Sequence, residues 1–70
     1  MRVITYDMAK EFYRDLCGKA YGNPYKTAQG VMSIHMIADH MGISEEKAEE
    51  YCWAMIRFGI TEKQYGMIVV

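Results

Sequence analysis

The sequence predicts a small α+β domain, a three-helix bundle followed by a C-terminal β-hairpin. Three observations carry this. Apolar residues recur at helical spacing in separate stretches, each opened by a helix-capping residue. Glycines punctuate the ends of those stretches, and from Ile60 onward the pattern changes to short strand-like runs. With 70 residues, 51% hydrophobic and 24% charged, the chain fits one globular domain spanning 1–70. A domain this short buries only about 60% of the surface its unfolded chain exposes, so each large apolar side chain counts and dimerisation would add stability.

Taken in order, Met1 to Thr5 is rich in β-branched residues and reads as a short strand or an extended lead-in, with Thr5 or Asp7 as the cap that follows. Met8, Phe12 and Leu16 then recur at four-residue spacing, and Ala9, Tyr13, Cys17 and Ala20 widen the stripe. This first helix is expected to end near Gly18 or Gly22. Gly22-Asn23-Pro24 breaks the pattern, and the stretch through Gly30 reads as an irregular loop. Val31-Met32 is a brief apolar segment before Ser33, which caps a second helix burying Ile34, Ile37, Ala38 and Met41. Gly42 closes that helix, being the residue that best tolerates a left-handed conformation.

Only Gly42 and Ile43 separate it from Ser44, the next cap, and the charges of Glu45 and Glu46 suit a helix amino terminus. The third helix turns Ala48, Tyr51 or Cys52, and Met55 inward, with Phe58 a further candidate and Gly59 its stop. Ile60 to Gln64 and Met67 to Val70 are strand-like runs joined around Tyr65-Gly66, the arrangement of a small hairpin.

Net charge is −1, which gives no bulk attraction for nucleic acid, but the charges are segregated. Arg2, Lys10, Arg14, Lys19 and Lys26 outnumber Asp7, Glu11 and Asp15 before Gly30, whereas Glu45, Glu46, Glu49 and Glu50 outnumber Lys47 and Arg57 between Ser44 and Gly59. Cys17 and Cys52 lie within apolar helical patterns, where a thiol behaves as a small hydrophobe, so no disulfide is expected. No stretch approaches the roughly 20 apolar residues that cross a bilayer. Met1 to Thr5 lacks a signal peptide's apolar region, and the expected setting is the cytoplasm, away from membranes.

Two short helices joined by a tight glycine turn meet the requirements of a helix-turn-helix. The positions that fix the turn are apolar Ile37, small Ala38, apolar Met41, Gly42, the corner plug Ile43, and then Ala48 and Tyr51. With a leading helix, an apolar segment before Ser33 and a terminal hairpin, nearly the whole chain resembles the winged helix-turn-helix family. That resemblance implies a DNA-binding or transcription-regulator role. The family's second motif helix enters the DNA major groove, while its hairpin wing touches phosphates. Carried over, the groove-facing positions are Ser44, Glu45, Glu46, Glu49, Glu50 and Trp53, and the wing supplies Lys63, Gln64 and Tyr65.

Here the pattern departs from the family's. DNA-binding surfaces set Lys and Arg against phosphates, because counterion release supplies most of the non-specific affinity. An exposed carboxylate about 4 Å from a phosphate costs roughly 1 kcal/mol in high dielectric, screened over about 8 Å. The acidic third helix therefore disfavours DNA in that docking mode. Lys19 and Lys26, interleaved with Tyr21, Asn23, Tyr25 and Gln29, offer an alternative phosphate-tracking composition, although such tyrosines also serve to pin a loop to a core.

Trp53 is expected on the outer face. Arg57, one turn later, could cover its ring by a cation–π contact. The other reading is a homodimer or protein interface formed by Met36, Glu50, Trp53 and Arg57, with no nucleic acid involved. His35 and Asp39, one turn apart beside His40, read as solvent-facing polar residues, since a metal site needs three or four convergent ligands. No nucleophile–base pair or phosphate-cradling glycine loop is present in the sequence, so neither an enzyme nor a cofactor is expected.

Overall fold

A computed structural model describes residues 3–25 and 30–70. Helix α1 spans Tyr6–Tyr21, and Thr5 is its cap, with Oγ1 accepting the Met8 N–H at 3.2 Å. Ala9, Phe12, Leu16 and Cys17 form its buried face, with Met8, Tyr13 and Ala20 packed at the margin. Residues 3–5 form no strand, and Ile4 among them is buried.

Helix α2 covers Ile34–Met41 and helix α3 covers Glu45–Arg57, each opened by a serine whose hydroxyl accepts the N–H three residues on. Gly42 sits between them at φ 66 and ψ 37, and the Ile43 N–H reaches back to the Ala38 carbonyl at 3.1 Å. That bond closes the left-handed helix end known as a Schellman turn, and it redirects the chain into α3. Ile37 and Ala38 of α2 are buried, as are Ala48, Cys52, Ala54 and Met55 of α3. With alanine at 9, 38, 48 and 54, the helices can approach closely, because interaxial distance is set by the side chains at the contact. Burial of Leu16, Ile37 and Met55 contributes roughly 1.5–3 kcal/mol each.

Strands β1 (Val31–Met32), β2 (Lys63–Gln64) and β3 (Met67–Val69) form an antiparallel sheet in the order β1-β3-β2. Tyr65 (φ 54) and Gly66 (φ 73) make the two-residue turn between β2 and β3, both in the left-handed region that a type I′ hairpin demands. The expected hairpin is therefore present, with a third strand added: Val31 pairs with Val69 and Met32 with Ile68. Reciprocal backbone bonds between Gly30 and Val70, at 3.2 and 3.0 Å, extend that ladder. The Tyr21 hydroxyl donates to the Val70 carbonyl at 2.9 Å, tying the end of α1 to the sheet.

The choice left open between Tyr51 and Cys52 is decided by the structure, and Phe58 departs from the sequence reading. Cys52 takes the core position and Tyr51 is half-buried, stacked on Phe12 with centroids 4.5 Å apart. Phe58 lies outside the core, 36% exposed and edge-on to Tyr6 at 5.8 Å, because α3 gives way to a turn there. Both cysteines are free thiols. Burial pushes the Cys52 thiol up to about 11 and raises that of Cys17 as well, so both stay protonated at neutral pH.

Candidate functional surface on α3 and the hairpin

The exposed face of α3 follows from the helical repeat. With Ala48, Cys52 and Met55 turned inward, Glu45, Glu49 and Trp53 fall on one i, i+4 row, and Glu46 and Glu50 fall on the next. All five are exposed, as is the cap residue Ser44. From Glu45 to Trp53 the row runs about 12 Å at 1.5 Å per residue. The first row thus runs from carboxylates to the Trp53 indole and closes on Arg57, exposed one turn later.

Trp53 is 48% exposed. The cation on its ring is Lys63 of β2, with Nζ 4.8 Å from the ring centroid, and not the expected Arg57. The Arg57 guanidinium instead stands over Phe58 at 5.2 Å. The correction has a physical reason: a long lysine side chain of the hairpin brings an ammonium to the indole from another element, which helical spacing alone does not reveal. This contact also joins α3 and the hairpin into one surface. At the hairpin tip Tyr65 is 90% exposed, and the Gln64 amide donates to Glu62 at 3.3 Å.

His35 builds the other end of this surface. Its Nδ1 lies 3.0 Å from Glu45 Oε2 and its Nε2 3.4 Å from Asp39 Oδ2. One imidazole therefore bridges α2 to the first residue of α3, on the outside of the Gly42 corner. The hydrogen bond to Glu45 first, then the charges of Asp39 and Glu45, raise the His35 pKa above its ordinary value. Among the described residues no three His, Cys, Asp or Glu side chains form a group suited to a metal ion.

The remaining residues singled out from the sequence are dispersed. Met36 is 45% exposed on α2. Lys19 is exposed in the last turn of α1, where a cation suits the helix dipole. Lys26 lies outside the described residues. Of the two tyrosines, Tyr21 ends α1 and donates to the Val70 carbonyl, while Tyr25 is 79% exposed with the Arg14 guanidinium 5.9 Å from its ring. Lys10 and Arg14 share a groove along α1 with Asp7, Glu11 and Asp15, so the cations there are interrupted by carboxylates.

Sequence reasoning missed the Lys63 and Trp53 contact and the bridge from His35 to Glu45. Comparisons with family models, with curated proteins and with solved structures return no match. Among the described residues no helix is long and apolar enough to cross a membrane.

Proposed function

We propose that this chain is a winged-helix domain of the transcription-regulator type, which meets DNA weakly alone and acts as a dimer or as part of a complex. The observation that carries this reading is the placement of the hairpin. Helices α2 and α3 turn about Gly42, and one side chain of β2, Lys63, reaches the Trp53 ring of α3 from the side on which a wing flanks a recognition helix. Affinity is expected to be low because α3 offers Glu45, Glu46, Glu49 and Glu50 where phosphates would be approached, and because the wing's Lys63 is engaged on the indole. A fluorescence titration with mixed-sequence duplex DNA at low salt tests this. Weak, salt-sensitive binding supports it, whereas no binding by the chain alone or with a partner rejects it.

A second reading, a protein-interaction module, is favoured by the half-exposed Trp53, which lies between the carboxylates of α3 and Arg57. Tryptophan is enriched among residues that dominate binding energy, and charge around it sets partner choice. Light scattering coupled to size exclusion, comparing the wild type with Trp53→Ala, tests the homodimer form of this reading. A dimer lost in the variant supports it, and a monomer in both rejects that form.

A further inference from the structure

We infer that the surface shared by α3 and the wing docks a basic protein segment, rich in arginine or lysine and carrying an apolar residue. This rests on the second reading above and names its partner. Charge complementarity selects the occupant. Glu46, Glu49 and Glu50 are exposed along the turns that lead to Trp53, where with Glu45 they outnumber the exposed Lys47 and Arg57 of the same helix, and Glu45 is shared with His35 at 3.0 Å. An acidic or neutral segment would leave these carboxylates facing like charge or losing water without a cation in return.

The chain also shows how a cation is received there. The Lys63 ammonium already lies 4.8 Å from the indole centroid, so this ring accepts a cation on its face within the domain itself. A partner's arginine competes for that position or pairs with Glu49 and Glu50, and its apolar residue covers the indole surface that remains open. Tyr65, at 90% exposure on the wing tip, is a further aromatic on the wing. The same features oppose duplex DNA, whose phosphates would face the stripe.

Trp53 is the chain's one tryptophan, so its fluorescence reports on this surface directly. The experiment titrates the full chain at low salt with a short synthetic peptide of arginines and two leucines. The controls are the same peptide with glutamate for arginine, and with glycine for leucine. Glu49→Gln and Glu50→Gln, combined, neutralise exposed positions while keeping side-chain shape, and circular dichroism verifies that the variant folds.

The expected result is a blue shift of Trp53 emission with the arginine–leucine peptide, affinity weakened about fivefold in the double variant, and loss of binding as salt rises. Unchanged emission and anisotropy overturn the inference, as does equal affinity for the double variant. A blue shift produced by duplex DNA also overturns it. If the peptide fails but emission shifts as the protein alone is concentrated, the interaction-module reading stands with a second copy as occupant. If neither shifts the emission, the inference falls together with the homodimer form of the second reading.

Discussion

Exchanging glycine for alanine at two positions should move stability in opposite directions. At Gly42 an added Cβ meets nothing within 4 Å, so the effect is confined to the backbone. An L-residue held at φ 66 costs about 1–2 kcal/mol, of which about 0.4–1 kcal/mol is offset by the reduced freedom of the unfolded chain. Gly42→Ala should therefore destabilise by about 1 kcal/mol. Gly18 lies inside α1, and a Cβ there would sit 4.0 Å from the Pro24 Cβ, in ordinary contact. Gly18→Ala should stabilise by about 0.5–1 kcal/mol, because glycine is the costlier residue within a helix. A 70-residue domain has roughly 3.5–10 kcal/mol in all. Each change should therefore be visible as a melting shift of about 4–8 °C per kcal/mol. Urea unfolding followed by circular dichroism at 222 nm, roughly the helical band, provides the assay, with the denaturant slope unchanged. Gly42→Asn should fall between glycine and alanine, since asparagine tolerates the left-handed region. If Gly42→Ala leaves the midpoint in place or raises it, the sharp corner between α2 and α3 is wrong.

Tyr65 occupies the left-handed region at φ 54 with its side chain 90% exposed, so Tyr65→Asn should stabilise the hairpin by about 1 kcal/mol in the same urea assay; a loss of stability would show that the ring makes a contact the fold needs. His35 has a folded pKa raised above its unfolded value, so its bridge supports the fold below about pH 6.5 and that support is lost as pH rises through the folded value. A proton NMR titration should show His35 titrating above the ordinary imidazole value in the wild type and at that ordinary value after Glu45→Gln and Asp39→Asn together; an ordinary value in the wild type would contradict the bridge. The raised Cys17 and Cys52 thiols should react with a disulfide reagent at neutral pH only as fast as the domain opens, and rapid labelling of the native protein would place one of them outside the core.

The parts of the fold that were legible in the sequence are those decided by local chemistry. Thr5, Ser33 and Ser44 cap helices because their hydroxyls reach N–H groups three residues ahead, and Gly42 ends α2 because the turn requires positive φ. The Tyr65-Gly66 turn belongs to the same class. What escaped was non-local. Val31 meets Val69 across most of the chain, and a two-residue strand carries no alternation from which pairing could be read. The cation on Trp53 was expected at the next helical turn because spacing describes only neighbours along one helix, while Lys63 arrives on the returning hairpin. Of the candidate surface, the acidic stripe and the exposed indole were legible from periodicity; their junction with the wing was set by tertiary packing.

The most direct test of this account is the proton NMR spectrum of the Lys63 side chain. With its ammonium on the Trp53 ring, its ε-methylene protons should move upfield and show Overhauser contacts to the indole. Both should vanish in Trp53→Ala. Lys63 protons at ordinary positions, with indole contacts from Arg57 instead, would mean that the wing does not close on α3 and that no shared surface exists.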